Sequence, residues 1–375
     1  MPSKRPAASS SPGSPRGGAR GELPSPAEIS NRMVWQGESG RYEVWFFTLF
    51  HAASGTGFWI RYTLESPDPA HGDPYVELWF ARGCAHDFSG NFGIHRRFPL
   101  SVFSSAQVPF ALQIGDSELR HNGAVGQLQG DGHDIRWELH WEPQRKPFFL
   151  LPSALYRDPL HVAETLVLSP NHSVSCRGFI EVDGQRYELS GAPLGQSHLW
   201  GRKHAYGWGW GRCNAFDTVE GESVATATPP VLEALTVRMR RGPVVVPLTQ
   251  LAVNLGVGDG DDFQFTDLQT IALRRGEFRT GSYVVSAMGA QTKVEAQFAC
   301  RPDDMIRTEY VDPDGTPAYC HFAAAASCQL TLSRRRFPGA PWQLWRRLSS
   351  QHGAQFEWAG RAGDSMVRRT HTRVE

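Results

Sequence analysis

Hydrophobic and polar residues alternate one for one over much of this chain. From His133 to Trp141, Ile135, Trp137, Leu139 and Trp141 fall on one side, and Asp134, Arg136, Glu138 and His140 on the other. A strand points successive side chains to opposite faces, so this pattern predicts an antiparallel strand with one face in a core and one in water. Phe58, Ile60, Tyr62 and Leu64 alternate with Trp59, Arg61, Thr63 and Glu65; Val76, Leu78 and Phe80 alternate with Glu77 and Trp79. Phe179 to Leu189 reads as a hairpin about Asp183-Gly184. Further strands are expected at Ser223–Ala227, Leu235–Arg240, Val244–Leu248, Phe263–Leu273, Tyr283–Ala287, Val294–Ala299 and Cys328–Leu332. Turn signals separate such runs at Gly115-Asp116, Gly130-Asp131-Gly132 and Gly221. Pro341–Ser350 departs from the pattern: Trp342, Trp345 and Leu348 recur every three residues, which predicts a short helix.

Many short strands with regular turns and little helix indicate sandwiches or barrels. A barrel of about eight strands just holds one small ligand, and the 375-residue length accommodates two. Residues 1–28 are Ser, Pro, Gly, Ala and Arg and are expected to be a disordered tail. The domain boundary is expected near Ser190-Gly191-Ala192-Pro193, which gives domains of 29–190 and 191–375.

One stretch breaks the ordinary alternation. From Gly207 to Gly211, glycine alternates with tryptophan, so Trp208 and Trp210 share one face and the other face is bare. Glycines within a strand imply close approach of another backbone or a ligand. His198, Trp200, His204, Tyr206, Asn214 and Asp217 surround this strand. Together they would make an apolar pocket wall with a few polar groups.

Composition narrows the alternatives. Lys plus Arg and Asp plus Glu each number 38, so no net charge favours nucleic acid or an anionic membrane. The local exceptions are the basic tail and Arg334-Arg335-Arg336. Six scattered cysteines without a CxxC pair, and an N-terminus without the apolar core of a signal peptide, point to reduced thiols and a cytoplasmic protein. No apolar run has the length of a membrane-spanning helix, which leaves peripheral membrane contact open. Asn171-His172-Ser173 is read as a chance glycosylation match, and Gly256–Asp262 as a hairpin tip rather than a calcium loop. No P-loop, dinucleotide fingerprint, nucleophile elbow or metal-ligand spacing occurs, so no cofactor and no metal is expected.

The order Gly178-Phe179-Ile180-Glu181-Val182-Asp183-Gly184, Gly191, His198-Leu199-Trp200-Gly201 and Trp208-Gly209-Trp210 resembles the junction of tandem lipocalin-like proteins. That group includes carotenoid 1,2-hydratase (hydroxyneurosporene synthase), the AttH-type proteins and, more distantly, tocopherol cyclase. Tyr310-Val311-Asp312-Pro313-Asp314-Gly315, followed by Tyr319 and Cys320, adds to the resemblance, which covers about residues 31–335. It implies an all-β chain of two consecutive calycin-type barrels, with a lipophilic ligand between or within them. Two enzymatic members of the group protonate a carbon–carbon double bond in an isoprenoid chain and trap the cation with water or an internal phenol.

Protonating an alkene needs an acid in a dry site, because burial keeps a carboxyl protonated. Asp217, which ends the aromatic strand, is the provisional acid; Asp312 and Asp314 are alternatives, although Asp-Pro-Asp-Gly is also ordinary turn chemistry. His198 and Asn214 would position water, with His204 a further candidate base. Trp200, Tyr206, Trp208 and Trp210, with Tyr310 and Tyr319, would line the cavity, their ring faces favouring a cation. The partner is then a hydrophobic, isoprenoid-like small molecule. Two other readings stand beside this one: a carrier that returns its ligand unaltered, and an interaction protein with filled barrels. In similar sequences an acidic residue is expected in the strand after the Tyr-Cys pair; here Ala323-Ala324-Ala325-Ala326 occupies it, which favours the carrier.

Overall fold

A computed structural model describes residues 24–375 apart from 145, 153–154, 158–162, 222–228, 257–261 and 268. The described chain is mostly β-strand, paired antiparallel except near its end and gathered in two sheets. The first runs in the order Phe92–Pro99, Tyr75–Cys84, Thr56–Ser66, Arg41–His51, Gln185–Gly201, Thr165–Val182, His133–Trp141, Gly123–Gly130, Ser117–Arg120, Phe110–Ile114 and Phe103–Gln107. The second runs Asp262–Phe265, Val244–Asn254, Val231–Arg241, Gly207–Cys213, Gln343–Gly360, Pro317–Arg334, Thr292–Ala299, Ser282–Met288 and Arg274–Arg279. Each sheet curls until distant strands of the path touch: Tyr75–Cys84 meets Phe110–Ile114, and Arg274–Arg279 meets Val244–Asn254.

The alternation in the sequence maps directly onto two sheet interiors and the layer between them. Phe58, Ile60, Tyr62 and Leu64 point into the first sheet's core with Ile135, Trp137, Leu139 and Trp141. The second core is built on Tyr283, Phe298, Leu330, Leu348 and Phe356. A third cluster joins the two, because strands at the junction are apolar on both faces. Tyr42, Val44, Phe46, Trp59 and Trp79 of the first sheet meet Trp208, Trp210, Tyr310 and Phe322 of the second. Ala324 of the alanine run belongs to this layer, and Ala323 and Ala326 to the second core. A Cβ at Gly57 would overlap the Ala324 carbonyl, so minimal side chains on both strands let the two backbones approach.

Four expectations change. Pro341–Ser350 is not helical: Gln343–Gly360 is a strand, paired with Pro317–Arg334 from Arg334↔Gln343 through Leu330↔Leu348 to Tyr319↔Gly360. Arg346, Leu348 and Ser350 are buried in strict alternation, so the period is two. The Arg334 guanidinium of the neighbouring strand sits 3.2 Å from the Trp345 ring centre. Next, the segment expected to be disordered already folds before residue 28. Pro26–Asn31 is a helix whose N-cap Ser25 accepts from Glu28 N, while Glu28 Oε1 accepts from Phe110 N at 3.0 Å and the Asn31 carbonyl accepts from Trp45 Nε1 at 2.9 Å. Ser-Pro-x-Glu is a capping sequence that composition alone hides.

The boundary expected at residue 190 falls inside the strand Gln185–Gly201; the chain passes from the first sheet to the second at residues 202–206. The Asp183-Gly184 turn does form, both residues taking positive φ. Of Phe263–Leu273, Asp262–Phe265 is strand and Ile271–Leu273 a short 3₁₀ turn. Ser223–Ala227 and most of the Gly256–Asp262 tip lie outside the described residues. The end of the chain joins the sheets: Arg369–Thr370 pairs with Ile306–Arg307 of the second, and Thr372–Val374 with Ile94–Arg96 of the first.

Candidate functional site

The Trp-Gly strand has two chemically distinct faces. Gly209 and Gly211 point into the second core, where Phe278 and Phe298 occupy the space their side chains would take. Trp208 and Trp210 point the other way, into a cavity of about 730 Å³ between the sheets. Phe46 and Trp59 of the first sheet form the facing wall, Leu235, Val237 and Leu248 extend the apolar side, and Tyr206 lies at the exposed rim. The tryptophans thus face both the neighbouring sheet and an open space held between the two.

Three ionisable arrangements enter this apolar wall. Glu357, opposite Phe322 in the strand pairing, accepts the Trp208 Nε1–H at Oε1 over 2.7 Å, and Cys320 Sγ lies 3.6 Å from Oε2. Burial pushes the Glu357 carboxyl above the usual carboxylate range, against the opposing pull of the Trp208 N–H and the Arg61 charge. It therefore holds its proton to higher pH than an exposed glutamate does.

The second is a histidine–aspartate pair. His204 Nδ1 donates to Asp312 Oδ1 at 2.7 Å and His204 N donates to the same oxygen at 2.8 Å, while Arg361 Nη1 donates to Oδ2 at 2.8 Å. Burial works against the Asp312 charge, but the bonds from His204 and Arg361 outweigh it and hold Asp312 below its ordinary range. For His204, burial outweighs the pull of Asp312 and favours the neutral ring. With Nδ1–H committed to Asp312, Nε2 carries the lone pair, the arrangement of an oriented base. Trp208 links the two groups: its face lies 5.3 Å from the His204 ring, and its edge N–H reaches Glu357.

The third is Arg61, buried, with its guanidinium 4.4 Å from the Tyr310 ring centre. The second buried guanidinium of this layer, Arg212, is not part of the cavity wall and has a carboxylate partner at one of its nitrogens. Its Nη2 meets Glu233 Oε1 at 2.8 Å, Ser197 Oγ at 2.7 Å and Ser169 Oγ at 3.0 Å, and Trp210 Nε1 donates to the same Glu233 oxygen. Burial alone would raise Glu233; Arg212 and the N–H donors hold it down at about 2.

The residues expected from sequence divide sharply. Trp208, Trp210, Tyr206 and Tyr310 line the cavity together, with His204. Asp217 does not: it is exposed, and its carboxylate accepts from Gln351 N at 2.6 Å. His198 is buried elsewhere, bonded to Ser30 O at 2.7 Å and Glu43 Oε1 at 2.8 Å, where it fixes the N-terminal segment. Trp200 packs on His198, Asn214 is buried off the cavity, and Tyr319 is not in the cavity wall. Asp314 pairs with Lys203 at the surface. Glu357 and Arg61 were missed. Strand alternation gives each a face, but neither lies near the tryptophan run in sequence, and pairing alone brings them to it.

Comparisons with known proteins agree with this architecture. The tocopherol cyclase-like family model matches residues 165–344, which span the sheet junction and the Trp-Gly strand. Among solved structures, CghA with Sch210972 superposes with a TM-score of 0.52 at 10% identity, covering 90% of this chain and 96% of that one. An AttH of Nitrosomonas europaea gives a TM-score of 0.50 at 14% identity, covering 85% and 92%. A relative of unassigned function from Mycobacterium tuberculosis strain H37Rv is 24% identical over 303 residues, 81% of this chain and 84% of that protein. The two structures speak to the fold. Together with the family match, they support the resemblance of this chain to the tandem lipocalin-like proteins. No helix among the described residues is long and apolar enough to cross a membrane, and none of their His, Cys, Asp and Glu side chains cluster as a metal site.

Proposed function

We propose that the protein binds a hydrophobic, isoprenoid-like small molecule between its two sheets and catalyses acid-initiated hydration or cyclisation of a carbon–carbon double bond. The observation that carries this is a proton-holding carboxyl, Glu357, and an oriented neutral imidazole, His204, on one aromatic cavity wall. Glu357 gives its proton to one alkene carbon; the π pair forms the new C–H bond and the neighbouring carbon becomes cationic. The faces of Trp208 and Trp210 stabilise that charge, by up to about 2 kcal/mol for each well-placed ring. A water oxygen, or a hydroxyl of the ligand itself, then adds to the cation and gives its surplus proton to His204 Nε2. Glu357 is left as a carboxylate and His204 as an imidazolium, and exchange with solvent resets both. No cofactor is required by this sequence of steps.

The carrier alternative differs in outcome. Lipid extract of cells that express the protein is incubated with the wild type or with Glu357→Gln, then analysed by liquid chromatography and mass spectrometry. The wild type should convert one component to a hydrated species or to an isomer of equal mass, and the variant should lose this by about 10²–10⁴-fold. Unaltered extract with the wild type, or equal conversion by Glu357→Gln, would overturn the acid role.

A further inference from the structure

Arg61 stands in the strand Thr56–Ser66 with Phe46 and Trp79 as its neighbours across the sheet. It is only 4% exposed, yet it is paired unlike Arg212. Its Nε donates to Thr63 Oγ1 at 2.8 Å. Among the described residues, no carboxylate lies within ion-pair distance of it, and its two terminal nitrogens have no protein acceptor. They are not sealed into the packing either; the residue is part of the cavity wall. What surrounds the guanidinium is aromatic: Tyr310 at 4.4 Å, Trp79 at 5.3 Å and Trp59 at 5.9 Å.

The nearby acids do not neutralise it. Glu77 is committed to Arg97 at 3.0 Å and Asp312 to His204 and Arg361. Burial keeps Glu65 and Glu357 above the usual carboxylate range, so neither offers a full counter-charge. A buried guanidinium without a counter-ion is costly, and ring faces offset only part of that cost. Its free edge is a planar pair of donors that matches two oxygens of a carboxylate.

We infer that Arg61 is the binding site for an anionic oxygen group of the ligand, so that the cavity takes an amphipathic acid with a carboxylate-type head. The head lies beside Tyr310, and the apolar body runs along Phe46, Trp210 and Leu235 toward the rim at Tyr206. This rests on the reading that the cavity holds a hydrophobic small molecule. It also removes a conflict in that reading: an unneutralised guanidinium would repel a carbocation in the same cavity, and a ligand anion cancels it.

The test uses the full-length protein with dodecanoate and dodecanol as probes, followed by quenching of tryptophan fluorescence at about pH 8, where the acid is ionised. The wild type should bind dodecanoate about tenfold or more tighter than dodecanol. Arg61→Met should abolish that preference while leaving dodecanol affinity within about twofold, and Arg61→Lys should retain part of it. If Arg61→Met does not fold, the wild-type comparison and Arg61→Lys still decide. Equal affinities in the wild type, or a preference that persists in Arg61→Met, overturn the assignment of Arg61 while leaving the cavity reading intact. Failure of both probes to bind overturns the assignment and the cavity reading together.

Discussion

Replacing Gly209 by alanine tests the two-faced strand on which the cavity depends. A Cβ at this position would lie 2.7 Å from Cβ, Cγ and Cδ1 of Phe278. Carbon atoms pack at about 3.5–4.0 Å, so roughly 1 Å of displacement is required. The Phe278 ring cannot swing aside to provide it, because its own Cβ is among the contacts. The strand Arg274–Arg279 must move, or Gly207–Cys213 must shift toward the cavity. Overpacking of this kind costs about 1–3 kcal/mol. Loss of glycine's freedom in the unfolded chain returns about 0.4–1 kcal/mol, which leaves a net destabilisation of up to about 2.6 kcal/mol, centred near about 1.3 kcal/mol. At about 2–4 °C per kcal/mol for units of this size, the melting temperature should fall by about 3–5 °C at the centre of that range and by up to about 10 °C. Gly211→Ala meets the Phe298 ring at 2.7 Å and should behave alike, whereas Gly207→Ala, with its nearest contact at 3.1 Å on the Ala359 carbonyl, should be milder. Differential scanning calorimetry on the three variants measures the series. If Gly209→Ala melts at or above the wild type, the glycine face is not packed on Phe278 and the orientation of the tryptophans is wrong.

Other consequences follow from the buried charges. Trp208→Phe removes the N–H that pulls Glu357 downward, so the carboxyl should hold its proton to higher pH; the alkaline limb of activity, lost as pH rises through the Glu357 pKa, should move up, and an unmoved limb would contradict the contact. Glu233→Gln leaves Arg212 buried without its counter-charge and should cost about 3–5 kcal/mol in urea unfolding; Glu233→Gln with Arg212→Met should recover much of it. The lowered Asp312 and His204 values act in the same direction. The folded state binds fewer protons than the unfolded, so their contribution is complete near neutrality and is lost as pH falls, first below about 6.5 and then below about 4. Asp312→Asn should flatten that acid loss in urea titrations repeated across pH, and an unchanged slope would remove Asp312 from the account.

The sequence reveals the strands and their faces because alternation is a local property. Trp137 and Leu139 declare a core position, and Gly209 declares close approach, without knowledge of what approaches. The site is less legible because pairing across the sheets assembles it. Glu357 belongs to a segment 147 residues beyond Trp210, and Arg61 to a strand of the other sheet. Asp217 drew the acid assignment through adjacency to the tryptophans, but the strand ends before it and carries it into solvent. His198 misled for a different reason: a histidine beside tryptophans looks like a pocket residue, and here both ring nitrogens are spent on Ser30 and Glu43. The alanine run itself carries no acidic residue; Glu357 lies in the neighbouring strand, paired with Phe322 just before the run. The apparent helix at Pro341–Ser350 arose because three-residue spacing fits either period until the partner strand is known.

Proton delivery by Glu357 is the central claim, and isotope incorporation tests it most directly. Extract is incubated with the wild type or Glu357→Gln in heavy water, and the products are analysed by mass spectrometry. The account predicts a wild-type product with one non-exchangeable deuterium on carbon and none above background with Glu357→Gln. A product without carbon-bound deuterium, or equal incorporation by both proteins, would contradict it.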